Sequence, residues 1–418
     1  MRVLWITNIL LPEMQQYLMA AAIPIGGWIS SSAKELLKLD GIELAVASVS
    51  RQTDTLVRYQ GDEITHYALP YGKGNLTYNS EYELYWKEIK QEFNPDVVHI
   101  FGTEFSHGLA YVRACGVENV VLSLQGLVSV ISQYSAGGLT DKEIKRNLTL
   151  RDRLFHTDLF HERNGFIKRG ETEKVLISSV HHIIGRTRWD KAHSLSINPS
   201  ATYYCVNETL RTSFYEGVWD YSKCRKHSIF LSQGSSALKG AHWVFRALPY
   251  ILREFPDTVI RVAGKDITKT EGIKDLMKQT NYIRFVNSLI SNLGIGENVS
   301  YLGSLTEEEM KSEYLSANVF VCPSSIENSP NSLAEAQILG VPCVASYAGG
   351  IPDFMEGALS KWMYRYDDPV LLAELVCSTF ENRDIRELEE MRRIALQRHN
   401  RENNRDSLLS VYHRIQRQ

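Results

Sequence analysis

Short apolar runs alternate along this chain with longer stretches whose apolar residues recur every three to four positions. The early runs have strand length: Val3–Ile6, Leu44–Val49, Ile64–Leu69, Val97–Phe101, Val120–Leu124, Ile183–Ile184 and Thr202–Val206. Between them, Ile29–Leu39 and Tyr82–Phe93 show the helical period most clearly. The pattern then becomes more regular. Strands are predicted at Ile229–Ser232, Val259–Ala263, Val299–Leu302, Val319–Cys322 and Cys343–Ala345, with helices over Ala241–Glu254, Glu307–Ser316 and Asn331–Leu339. Three more helical stretches fill Pro369 to Arg417. Strand, helix, strand in this order predicts βαβ units around parallel sheets.

The rhythm breaks between Thr209 and Lys226. This predicts one domain over residues 1–210, a second over 226–400, and a helix over 401–418 that returns to the first. Domains of about 200 residues bury a core of their own. The expected fold class is α/β, with two doubly wound domains facing each other across a cleft. Ligands bind such sheets outside the carboxyl ends of the strands.

Composition narrows the function. Hydrophobic residues are 44% and charged residues 23%, which excludes disordered, collagen-like and coiled-coil chains. A net charge of −3 gives no global attraction to nucleic acid, so none is expected as a partner. The apolar runs fall short of the ~20 residues of a membrane span, and Met1–Asn8 is expected to be a first strand rather than a signal peptide. The cysteines, Cys115, Cys205, Cys224, Cys322, Cys343 and Cys377, form no C-x-x-C pair. A reducing cytoplasm is the expected location, and the sequons at Asn75, Asn147, Asn207 and Asn298 carry no weight there. No His cluster has metal-ligand spacing. Asp367-Asp368-Pro369 is expected to cap a helix, so no metal is assigned.

The segment from Val319 to Gly350 carries the chemistry. It predicts a strand, a polar loop, a helix, a second strand and a Gly349-Gly350 turn. Ser329 is expected as N-cap and Pro330 as the first helical residue. The amides of Asn331, Ser332 and Leu333 then fall in the first turn, where they lack intrahelical partners and the helix dipole favours a phosphate. Asn328 adjoins them. Glu327 lies before the helix and Glu335 in its second turn. Carboxylates repel phosphate, so these two suit the hydroxyl groups flanking a diphosphate, on a sugar and on a ribose.

Glu327-x7-Glu335, the following Gly340-Val341-Pro342 strand and the glycine pair resemble the group 1 family of retaining glycosyltransferases with the GT-B fold, which has two Rossmann-like domains. The match runs from Ser228 to about Val376; the N-terminal half fits in layout. The resemblance implies that Glu327 contacts the transferred sugar, that Glu335 binds the ribose and that the intervening amides hold the diphosphate. Upstream, Ile229 to Gly240 resembles the family's loop ending in Lys-Gly, which implies that Lys239 pairs with the diphosphate. Gly234 stands where the family often has Arg, and the amides of the Gly234-Ser235-Ser236 turn are the expected replacement. Base contacts are implied near Ser304 and Leu305.

The N-terminal half is expected to present the acceptor. A long loop from Ile9 to Ile25 leads to Gly26-Gly27-Trp28 and resembles the family's glycine loop near phosphate and acceptor. Gln125 stands where the family often has His; it hydrogen-bonds but does not shuttle protons. His99 and His107 lie at a strand end and Arg186 follows another, all three being candidates for the cleft. Residues 142–191 hold twelve basic against seven acidic residues, with Phe155, Phe160 and Phe166 interleaved. That stretch is a candidate for peripheral contact with anionic lipid at the inner face of the membrane.

The expected function is retaining transfer of a hexose from a nucleotide diphosphate sugar to a glycan or lipid-linked saccharide acceptor, in polysaccharide or glycoconjugate biosynthesis. The donor is a substrate, and no cofactor is expected. The alternative is a non-catalytic nucleotide-sugar-binding protein on the same fold.

Overall fold

A computed structural model describes the chain apart from residues 21–25, 73–77, 270–271, 273–277, 382–383 and 418. It divides into two compact units. Unit 1 comprises Met1–Ile131, Gly165–Arg211 and His399–Gln418; unit 2 comprises Ser132–Asn164 and Thr212–Arg398.

In unit 1 the described strands are β1 (Arg2–Thr7), β2 (Glu43–Ser50), β3 (Val57–Gln60), β4 (Ile64–Pro70), β5 (Val97–Phe101), β6 (Val120–Ser123), β7 (His182–Gly185) and β8 (Thr202–Cys205). They form one sheet in the order β3-β4-β2-β1-β5-β6-β7-β8. Pairing is parallel except between β3 and β4. Successive β1 side chains point to opposite faces: Leu4 and Ile6 join one core with Trp86 and Ile89, Val3 and Trp5 another with Ile29 and Leu36. Burial on both faces explains why these strands read as continuous apolar runs.

Helix Arg401–Gln416 packs in unit 1. Its Val411, Tyr412 and Ile415 share the core of Val3 and Trp5. The Tyr412 hydroxyl accepts from Trp5 Nε1 at 3.0 Å and lies 2.7 Å from His99 Nδ1.

Unit 2 holds β9 (Ser228–Leu231), β10 (Val259–Val262), β11 (Val299–Tyr301), β12 (Val319–Cys322), β13 (Cys343–Ser346) and β14 (Met363–Tyr364). Their order is β11-β10-β9-β12-β13-β14 and their pairing is parallel. Ile229 and Leu231 face one core. Phe230, on the other side, packs edge-on against Tyr314 at 4.9 Å.

The expected contiguous domain over 1–210 is corrected, because Ser132–Asn164 folds with unit 2. Its Leu139, Ile144 and Leu159 join the core of Val244 and Leu248. Polar contacts fix it further. Trp243 Nε1 donates to the Gly137 carbonyl at 2.8 Å, Arg246 pairs with Glu143 at 2.6 Å, and Thr149 Oγ1 donates to the Gln279 carbonyl at 2.9 Å. The boundary therefore passes within helix Leu159–Ser179. The basic stretch 142–191 is not one surface: it divides between the units, and four of its seven acidic residues, Asp152, Asp158, Glu173 and Asp190, are buried.

Candidate active site

A doubly wound sheet has a crevice where its strand order reverses. In unit 2 the chain builds outward from β9, to β10 on one side and β12 on the other, so the reversal lies between β9 and β12. The loops after these two strands are stitched together. Gly240, at φ +71°, passes so close to β12's loop that a Cβ would lie 1.9 Å from the Pro323 carbonyl oxygen. The Ser325 amide donates to the Leu238 carbonyl at 2.9 Å. Lys239 and Glu327 are thereby brought within reach, and Lys239 Nζ donates to Glu327 Oε1 at 2.5 Å. Ser324 Oγ donates to the same oxygen at 2.8 Å.

The Lys239 side chain is 30% exposed and that of Glu327 15%. Burial works against the Lys239 charge, but the Glu327 carboxylate and its hydrogen bond outweigh burial and hold the ammonium pKa above its ordinary value. The glycine pair completes the frame. The Gly350 amide donates to the Glu327 carbonyl at 2.9 Å. Gly349 has φ +55°, and a Cβ there would lie 1.9 Å from that same carbonyl oxygen. The turn thus serves to hold the backbone of Glu327.

Helix Asn331–Leu339 starts one residue later than expected, because Pro330 rather than Ser329 is its N-cap. The amides of Leu333 and Ala334 both donate to the Pro330 carbonyl, at 3.0 and 3.1 Å. The Leu333 amide is therefore spent inside the helix, and Leu333 is corrected out of the expected set of first-turn amides without intrahelical partners. Tyr314 anchors this end by donating its hydroxyl to the Ser332 carbonyl at 2.9 Å. Asn328 is buried, Ser329 is half-buried, and Glu335 is 5% exposed on a helix buried from Leu333 onward.

Gly234 is buried, and a Cβ there would lie 2.6 Å from Val262 Cγ1. The packing of this loop on β10 explains why the position carries no long side chain. Beyond β10 and β11, the Gly264 amide donates to the Gly303 carbonyl at 2.8 Å. Both glycines have positive φ and nothing within 4 Å of an added Cβ. Ser304 is exposed and Leu305 half-buried beside this open edge.

In unit 1 the strand order reverses between β1 and β5. Asn8 follows β1, Glu104 follows β5, and Asn8 Nδ2 donates to Glu104 Oε2 at 2.8 Å. Glu104 is the residue the sequence reading missed. Its only signal was a carboxylate just beyond an apolar strand. Burial raises its pKa to about 7; Glu173 adds to the rise, while its own backbone amide, Asn8 and Arg169 oppose it. Gln125, after β6, is half-buried, and its Nε2 has no hydrogen-bond partner among the described residues.

Gly26, at φ +86°, is the N-cap of helix Gly27–Leu36 and packs on Ile9; Gly27 packs on Arg211. The loop before them is not all irregular, since Pro12–Tyr17 is helical; residues 21–25 lie outside the described residues. His99 is corrected from a cleft residue to a core post. It is 1% exposed, stacks on Phe101, and its Nε2 lies 2.6 Å from Ser123 Oγ. Burial holds its pKa well below the ordinary value. His107 is likewise buried, with its pKa lowered to about 4. Arg186 is corrected too: its guanidinium is buried and pairs with Glu208 at 2.5 Å within unit 1, so its charge is already balanced. Asp368 Oδ1 accepts the Val370 and Leu371 amides at 3.2 and 3.0 Å, which is helix capping, and Asp367 pairs with Arg365.

Residues 222–398 match the model of the glycosyl transferases group 1 family. A GDP-mannose-dependent alpha-(1-6)-phosphatidylinositol monomannoside mannosyltransferase of Mycolicibacterium smegmatis is 28% identical over 122 residues. That match spans 28% of this chain and 28% of that protein, well under two thirds of its length. The fold of the whole chain is similar to sucrose-phosphate synthase from Thermosynechococcus elongatus, with a TM-score of 0.67, 14% identity and 99% and 98% of the two chains covered. It is also similar to Anabaena Alr3699/HepE in complex with UDP-glucose, with a TM-score of 0.65, 13% identity and 98% of each chain covered.

Proposed function

We propose a reaction for a chain that carries a glycosyl transferases group 1 domain at residues 222–398 on a GT-B fold: retaining transfer of a hexose from a nucleotide diphosphate sugar to a glycan or lipid-linked saccharide acceptor. The observation that carries the reading is the Lys239–Glu327 pair at the switch point of unit 2, next to the N-terminus of helix Asn331–Leu339. An arriving diphosphate takes the ammonium of Lys239 and faces the Asn331 and Ser332 amides. Glu327, relieved of its cation, accepts hydrogen bonds from the sugar, and Glu335 accepts them from the ribose. A GDP-mannose-dependent relative and a neighbour solved with UDP-glucose support a nucleotide-sugar donor.

As the glycosidic bond breaks, charge develops on the leaving diphosphate. Lys239 and the helix amides stabilise that charge more than the ground state, which is where the rate enhancement arises. The diphosphate in turn helps to deprotonate an acceptor hydroxyl that attacks from the same face. Unit 1 presents that acceptor, and the donor enters as a substrate rather than as a cofactor. The setting is cytoplasmic glycoconjugate or polysaccharide synthesis. Leu150, Leu154 and Phe155, 71–78% exposed beside exposed Arg153, supply a peripheral lipid contact.

The test is release of nucleoside diphosphate from UDP-, GDP-, ADP- and dTDP-sugars with a lipid-linked saccharide extract as acceptor. Turnover that Lys239→Ala abolishes supports the reading. Saturable donor binding with no turnover supports the non-catalytic alternative, in which Gly234 and Gln125 mark lost machinery.

A further inference from the structure

The switch point of unit 1 is furnished like that of unit 2. Asn8 sits one residue beyond β1 and Glu104 three residues beyond β5, on opposite banks of the crevice where such sheets take ligands. Gly102 lets the pair lie against the backbone: a Cβ there would lie 2.1 Å from Glu104 Oε2 and 2.8 Å from Asn8 Nδ2, while one on Gly126, after β6, would lie 3.1 Å from Ile131 Cδ1 and 4.0 Å from Glu104 Oε1. Below them, Glu173 has a different task. It is fully buried and accepts from Thr103 Oγ1, the Val128 and Ser129 amides and Ser129 Oγ, at 2.5 to 2.9 Å. Its valences are filled by the fold. Among the described residues Asn8 alone donates a side-chain hydrogen bond to Glu104, and the neighbouring Gln125 Nε2 is buried without a partner.

An amide that donates, a carboxylate that accepts and a second amide form an alternating set, which matches the hydroxyl groups of a polyol. Two carboxylates close together disfavour a phosphate at the same spot. We propose that Asn8 and Glu104 form a hydroxyl-binding site in unit 1 for an uncharged sugar or cyclitol ring, with Glu104 accepting a ring hydroxyl. As the acceptor subsite, this rests on the transferase reading above; as a binding site, it does not. The charged groups that bear on Glu104 are Glu173 and Arg169, both on helix Leu159–Ser179.

Saturation-transfer NMR tests it, with methyl α-D-mannopyranoside, methyl α-D-glucopyranoside and myo-inositol as probes of the full chain at pH 8. Transfer to at least one ring is expected, at least fivefold weaker in Glu104→Ala and in Asn8→Ala. Glu104→Gln, which keeps the shape, should restore part of the Glu104→Ala loss. The wild-type signal should rise between pH 6 and pH 8 as the carboxyl ionises. Thermal shift by nucleoside diphosphates should be equal in wild type and variants, showing that unit 2 is intact. No transfer to any ring in the wild type, or equal transfer in all proteins, overturns the proposal. Absence of nucleotide binding in the wild type would instead sink the donor reading and leave the polyol site standing.

Discussion

Glu104→Gln offers a test that needs no substrate. The carboxyl titrates at 4.5 when unperturbed and at about 7 in the folded chain, chiefly because burial disfavours its charge. At about 1.36 kcal/mol per pH unit, the ionised group costs the fold about 3 kcal/mol. The residue keeps some exposure, so this is an upper figure. The sign follows from proton counting. Between pH 4.5 and 7 the folded state holds a proton that the unfolded chain has released, so stability falls as pH rises through this window and the loss is complete above it. Glutamine is isosteric and neutral, and removes that slope. Urea denaturation from pH 5 to pH 8.5 should show the variant gaining on the wild type as pH rises, by up to about 3 kcal/mol. Hydrogen exchange of the β1 and β5 peptides should localise the gain to unit 1. Any constant effect of the amide group cancels in the pH dependence. A stability difference that is flat across the series would refute the buried, proton-holding Glu104.

Four further outcomes are expected. Lys239→Ala should lower turnover about a hundred- to a thousandfold, more than it raises the donor KM, as steady-state kinetics would show. Lys239→Arg should rescue only part of this, because the guanidinium is larger and planar. Glu335→Ala should weaken binding of the bare nucleoside diphosphate by calorimetry, by about 1.5–3 kcal/mol for each charged hydrogen bond lost, whereas Glu327→Ala should spare that affinity and reduce transfer. Gly349→Ala should lower the melting temperature and impair transfer, because its Cβ meets the Glu327 carbonyl oxygen at 1.9 Å in a left-handed backbone that itself costs an L-residue about 1–2 kcal/mol.

What the chain discloses in advance follows the physics of burial. Parallel strands covered on both faces, such as Val3–Ile6 within β1 and Val319–Cys322, appear as unbroken apolar runs and are legible. β3, Val57–Gln60, alternates half-buried and exposed positions at the sheet edge, and its pairing with β4 carries no comparable signal. Pro12–Tyr17 is too short for helical periodicity. The placement of Ser132–Asn164 in unit 2 is set by distant contacts, Leu139 with the unit 2 core and Gly137 with Trp243, that no local pattern contains.

The site divides in the same way. Glu327 and the helix after Pro330 lie in one short segment and are legible together, whereas Lys239, 88 residues upstream of Glu327, is legible only through the family resemblance of its own loop. The glycine pair was visible, but its task of holding Glu327's backbone was not. His99 and Arg186 looked available because their partners, Tyr412 and Glu208, are remote in sequence. Glu104 was hidden for the opposite reason. Its significance lies in the reversal of strand order beside it, and strand order is a property of the folded sheet.

The central claim is that unit 2 binds a nucleotide diphosphate sugar through Lys239 and the neighbouring helix end. Isothermal titration of the full chain with UDP-, GDP-, ADP- and dTDP-sugars tests it most directly. The account predicts saturable binding of at least one donor at one site per chain, markedly weakened by Lys239→Ala and unchanged by Glu104→Gln. Failure of every donor to bind, or binding indifferent to Lys239→Ala, would contradict it.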